Sequence, residues 1–176
     1  MKKIKVLLSA LAMVAAMAFV SCGGGADPTT GGTSGSDAVK LCKVEYSGQW
    51  GGATTVIPEG AKAVKYVFAS VPSEMQFIYQ DSVANPNDQY GNPYCAYSGA
   101  ITTAEVTINL EEALNALKTQ DSGNPNATGV AKVVLQNMKN GTNSIVINSI
   151  TIIKADDTEE SAGLPTKDWG STVTAL

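Results

Sequence analysis

The chain predicts an all-β domain: an antiparallel β-sandwich or jelly roll with one short helix. Three observations carry this. Apolar and polar residues alternate in short runs over residues 38–156, turn residues separate the runs, and a helical period occurs once. A parallel α/β fold would need a helix between most of its strands.

Residues 39–46 alternate, with Lys40, Cys42, Val44 and Tyr46 on one side and Val39, Leu41 and Lys43 on the other. Ser47-Gly48-Gln49-Trp50-Gly51-Gly52 breaks the run. Residues 54–57 are β-branched and close on the turn Pro58-Glu59-Gly60. In residues 61–70, Val64, Tyr66 and Phe68 share a face. In the next strand Met75, Phe77 and Tyr79 alternate with Gln76, Ile78 and Gln80. If Tyr66 and Phe77 are core, then Lys65, Gln76 and Gln80 face solvent. Residues 84–93 read as a polar loop. Residues 102–110 alternate again, with Val106, Ile108 and Leu110 together. Residues 111–118 then turn helical: Leu110, Leu114 and Leu117 form a stripe, and Glu111 and Glu112 stand where the helix dipole favours acids. Residues 130–138 and 144–154 are two strands joined through Asn140-Gly141, a hairpin pair because both residues tolerate positive φ. Residues 157–176 form a polar tail with at most one added strand. It holds Trp169-Gly170-Ser171-Thr172-Val173-Thr174, which looks like Trp50-Gly51-Gly52-Ala53-Thr54-Thr55 and offers a second exposed Trp.

Residues 1–21 have the layout of a secretory signal: Lys2, Lys3 and Lys5, an apolar run through residues 6–20, then Ser21. With Cys22 and Gly23 following, the segment resembles a bacterial lipoprotein signal, although Phe19 stands where that family usually has Leu. The resemblance implies cleavage before Cys22, lipidation of its thiol, and a domain held by a membrane anchor outside the cytoplasm, at the cell surface or in the periplasm. The alternative is an uncleaved anchor, for which the apolar run is short. Residues 22–37 are rich in Gly, Ser and Thr and read as a flexible spacer.

The chain has 12 basic and 16 acidic residues and no His. Loss of Lys2, Lys3 and Lys5 leaves 9 against 16, a net −7. Every basic residue is Lys. This balance argues against a nucleic-acid partner, and the missing imidazole removes the usual general base and the commonest metal ligand. Scattered carboxylates are the only catalytic equipment left, so an enzyme is not expected. Of the three Cys, Cys22 goes to the lipid. Cys42 and Cys95 remain, either bridged, as an oxidising compartment allows, or as two unlinked thiols with one buried.

Val106-Thr107-Ile108-Asn109-Leu110, a helical insert, Val130-Ala131-Lys132-Val133-Val134-Leu135-Gln136 and Ile145-Val146-Ile147-Asn148-Ser149-Ile150 stand in an order that resembles the second half of jelly-roll carbohydrate-binding modules with a galactose-binding-like fold. Such modules accompany polysaccharide-degrading enzymes. Gln49-Trp50-Gly51 is similar to them too. The resemblance implies a polysaccharide ligand, plausibly a β-glucan, and a surface lipoprotein that binds it. A non-enzymatic scaffold or adhesin with a protein partner is the alternative. Structural calcium is common in such modules, but Asp156 and Asp157 also read as a solvated acidic run, and no cofactor is assigned.

Sugar rings offer apolar faces to aromatic rings and hydroxyls to amides and carboxylates. The candidate binding residues are Trp50, set among Gly and polar residues; Tyr66 and Tyr79, if their face is an open sheet surface; Tyr90 and Tyr94, with Tyr97, around the polar loop; and Gln136, opposite Val133 and Leu135. The competing role for the strand aromatics is core, and for Gln136 an ordinary surface amide. For the signal, the expected outcome is that Cys22→Ser abolishes lipid attachment, so fractionation finds the chain soluble or uncleaved; a processed Cys22→Ser chain that still sediments with membranes contradicts it.

Overall fold

In Cys42–Tyr46 (β1) the alternation does what the pattern demands: Cys42, Val44 and Tyr46 are buried, while Lys43 and Glu45 pair on the outer side. The computed structural model describes residues 41–176, and these form one compact unit. The signal, the spacer and lipidation at Cys22 lie outside the described residues.

The remaining elements are Gly52–Val56 (β2), Ala61–Phe68 (β3), Met75–Ala84 (β4), Pro93–Ala100 (β5), Glu105–Asn109 (β6), Leu110–Thr119 (α1), Lys132–Asn137 (β7), Asn143–Lys154 (β8), Glu159–Ser161 (β9), Thr166–Lys167 (β10) and Ser171–Ala175 (β11). They build two antiparallel sheets. Sheet 1 has the order β11-β1-β8-β3-β6, with β9 also on β8; sheet 2 has the order β10-β2-β7-β4-β5. The inner strand orders β1-β8-β3-β6 and β2-β7-β4-β5 make a jelly-roll sandwich.

The sheets close on Tyr46, Tyr66, Phe77, Met75, Leu135 and Ile147. Two phenols of sheet 1 donate across the core to sheet 2: Tyr46 to the Leu135 carbonyl at 3.2 Å and Tyr66 to Thr55 Oγ1 at 2.8 Å. Tyr66 also packs its ring on Phe77, with centroids 4.8 Å apart, and on Phe68. Tyr66 is therefore not a ligand-stacking ring: it is 1% exposed, because the face it shares with Val64 and Phe68 is the inner face.

The helix begins where Asn109 Oδ1 accepts from the Glu111 and Glu112 amides, a side-chain cap for otherwise unpaired donors. Its buried side is Leu110, Ala113 and Leu117. The chain after it seals the free edge of β5. Gln120 accepts from the Tyr97 amide and donates to the Tyr97 carbonyl, and Ser122 does the same for Cys95 through its carbonyl and hydroxyl. An edge strand left unpaired would invite pairing with another chain.

Two differences from the pattern have physical reasons. The β7–β8 connection, residues 138–142, has positive φ only at Gly141, not at Asn140. It is organised instead by Asn137, fully buried, whose Nδ2 donates to the carbonyls of Gly48, Lys139 and Gly141. The tail supplies β9, β10 and β11 to both sheets rather than one added strand, so the folded unit runs past residue 156 to the C-terminus.

Burial raises the Tyr46 and Tyr66 phenols well above the ordinary tyrosine value, and pushes the Cys42 thiol up to about 11. Above pH ~10 the unfolded chain releases protons that the folded chain keeps, so stability falls as pH rises. In an alkaline spectrophotometric titration, two of the six tyrosines should ionise only together with loss of the β dichroism. Ionisation of all six before unfolding contradicts this packing.

Candidate binding groove

Each strand of sheet 2 turns alternate residues away from the core, and on β2, β7, β4 and β5 these meet in rows. Thr54, Val134, Ile78 and Tyr97 are successive register partners, as are Gly52, Gln136, Gln76 and Ala100. An outer sheet face should be wet, yet Val134 is fully buried and Gln136 is 5% exposed. Gln76 and Gln80 are buried as well, where the pattern had them facing solvent. The floor is sunk because its surroundings rise above it.

Trp50 forms one wall. Its φ of 72° is left-handed, unusual for a residue with a side chain. Three hydrogen bonds hold that backbone: the Trp50 amide donates to the Asn137 carbonyl, the Asn137 amide donates to the Gly51 carbonyl, and Gln136 Nε2 donates to the Trp50 carbonyl. The indole is left 50% exposed. Trp169 lies over β2 on the same outer face, beside the groove rather than in its lining. The 168–171 turn is pinned to β2 by the Gly52 amide donating to the Trp169 carbonyl, the Asp168 amide donating to the Gly52 carbonyl, and the Ser171 hydroxyl donating to that same carbonyl. A Cβ on Gly52 would stand 2.9 Å from Val134 Cγ1, so the packing of Val134 is what favours glycine there, while the Trp169 ring at 3.5 Å lies at ordinary contact distance. Asp168 accepts from Thr54 Oγ1 at 2.9 Å and presents a carboxylate beside that ring. On the far side stands Tyr97, half-exposed. Its hydroxyl accepts from the Cys95 thiol at 3.5 Å, and this contact, then partial burial, pushes the phenol up to about 12.

Trp50, Gln76, Tyr97, Gln136 and Met138 enclose a groove of about 460 Å³. None of the five carries a charge. Gln76 Nε2 donates to Gln136 Oε1 at 2.8 Å, which fixes both amides as a polar floor. From β2 to β5 the face spans three strand spacings, ~14 Å. The arrangement suits a short stretch of a neutral, hydroxyl-rich chain, with rings for its apolar faces and amides for its edges.

Of the residues the sequence put forward, Trp50, Tyr97 and Gln136 come together here. Tyr79 faces inward, half-buried, and lines a separate cleft at the side of the sandwich. Tyr90 is 80% exposed at the tip of the β4–β5 hairpin. Tyr94 falls on the Ala96 side of β5, away from the groove. Trp169 was visible only as a repeated Trp-Gly motif. Gln76 and Asp168 gave no signal beyond polarity, and Tyr97 looked like loop because its strand is polar. Cys42 and Cys95 are unlinked: Cys42 points into the core from sheet 1, and Cys95 lies on the outer face of sheet 2. Among the described residues no group of three or more His, Cys, Asp or Glu is placed to hold a metal ion, and no helix is long and apolar enough to cross a membrane.

No family model, no curated protein and no solved structure matches the chain.

Alkylation of the native protein followed by peptide mass mapping should label Cys95 and spare Cys42 until denaturant is added. Burial both blocks Cys42 and disfavours its thiolate, the reactive form. Equal labelling of the two thiols, or a Cys42–Cys95 disulfide peptide, contradicts this placement.

Proposed function

We propose that the protein is a lipid-anchored, non-catalytic polysaccharide binder that holds a neutral glycan chain, of the β-glucan type, across the outer face of sheet 2. The observation that carries the reading is the uncharged Gln76–Gln136 floor flanked by the exposed rings of Trp50 and Tyr97, with the exposed Trp169 ring over the neighbouring β2 on the same face. The left-handed Trp50 supports it: such backbone costs on the order of 1 kcal/mol or more and is concentrated at functional sites. The groove's depth favours a soluble chain over a flat crystalline surface. The acidic mature chain, net −7, disfavours polyanionic glycans. The motif resemblance to jelly-roll carbohydrate-binding modules points the same way, and the lipoprotein-like signal supports attachment through Cys22 outside the cytoplasm. A scaffold or adhesin role draws on one observation of its own, the exposed Tyr90 on a hairpin tip braced by Asp88 and Asn85.

Affinity electrophoresis of the full-length chain in detergent, on glucan, xylan and mannan, tests the proposal. Retardation is expected with at least one of the three. Trp169→Ala should weaken it by roughly 1–3 kcal/mol, on the scale of ring stacking against nucleobases. Trp50→Gly should weaken it similarly without lowering the melting temperature, because glycine accepts the positive φ freely. A wild-type chain that migrates unretarded on all three glycans hands the reading to the scaffold. Unchanged retardation of both variants removes the groove as the site.

A further inference from the structure

We propose that the cleft between β5, β6 and α1 is a second sugar subsite, next to the groove across Tyr97, and that the ligand is a branched glycan whose neutral side-chain sugar occupies it. This rests on the reading of the groove as a glycan site.

β5 and β6 are the last strands of their sheets on the same side of the sandwich. The crossing at residues 101–104 joins them, and α1 packs over both. The space left between is about 400 Å³, within the range of small-ligand sites. It stays open because the helix turns Ala113 and Ala116 toward it rather than larger side chains. Ser98, whose hydroxyl meets the Tyr79 phenol, and Thr102 stand at its wall, and the half-buried Tyr79 lines it with aromatic surface. Glu112 supplies the one carboxylate. Burial raises the Tyr79 phenol above its ordinary range, against a smaller opposing effect of the Ser98 hydrogen bond and with a further rise from the Glu112 charge, so Tyr79 stays a neutral hydroxyl. A ring beneath, hydroxyls around and one acceptor carboxylate fit a neutral sugar and repel a uronic acid.

Tyr97 lines both this cleft and the groove. The groove opens outward from sheet 2, whereas the cleft opens on the side of the sandwich, around the edge strand that carries Tyr97. A stiff main chain lying across the sheet does not turn that corner. A single sugar hanging from it by one glycosidic linkage does.

The test compares unbranched with branched probes: mixed-linkage β-glucan with xyloglucan, and mannan with galactomannan, each by affinity electrophoresis of the full-length chain in detergent. The wild type should bind one branched probe about tenfold more tightly than its unbranched counterpart, the equivalent of one good hydrogen bond to a charged group. Ala116→Leu, which fills the cleft, and Glu112→Gln, on an exposed helix position, should each remove that preference and leave binding to the unbranched probe unchanged. Trp169→Ala should weaken both. Absence of a branched-chain preference, or a preference that survives both cleft variants, overturns the subsite and leaves the groove reading standing. Failure of the wild type to bind any of the four probes, or xylan, overturns both.

Discussion

The burial of Ala53, Val133 and Leu135 against sheet 1 decides what the protein shows to solvent, and two hydrogen bonds through the core, from Tyr46 to the Leu135 carbonyl and from Tyr66 to Thr55, tie the sheets together there. This packing fixes which faces of β2 and β7 are inner. Side chains alternate with a period of two, so fixing the inner face fixes the outer one, and a slip by one residue would exchange them. Gln136 faces outward because Leu135 and Val133 face in. Gly52 lies under Trp169 because Ala53 and Thr55 point into the core. The groove is thus a consequence of the packing on the opposite side of the same strands.

A sheet with one packed face normally leaves the other open. Here the second face is sunk by segments that are not part of the regular sheet: the Trp50 loop at one end and the 168–171 turn over β2. Buried Asn137 organises the first of these, bonding Gly48, Lys139 and Gly141 at once and receiving the Trp50 amide on its carbonyl. The turn is held by backbone and hydroxyl bonds to Gly52. The Trp50 loop and the 168–171 turn therefore stand on hydrogen-bonded backbone.

The inserted helix has a similar double effect. Its apolar stripe covers the open side of the core, and the residues just after it, Gln120 and Ser122, occupy the hydrogen-bonding edge of β5. The edge is closed to pairing with another chain while Tyr97, on the same strand, keeps its ring in the open.

The sequence by itself determined the all-β class, nearly every strand from β1 to β8, the helix after residue 110, and the partition of each strand into two faces. All of these follow from local periodicity, which is written within a few residues. Only the tertiary structure decided which face is inside. Tyr66 and Tyr97 both sit in strands, and nothing near either one in the chain says that the first is buried among Phe68, Phe77 and Thr55 while the second lies on the outer face. The same holds for Cys42 and Cys95, placed on opposite sides of the core, and for the tail, whose polar residues form strands only because β1, β2 and β8 offer open edges. The pairings to β1 and β2 join residues more than a hundred positions apart, such as Thr54 with Thr166 and Cys42 with Ala175. Their register is set by the packing of the whole sandwich, which no local pattern encodes.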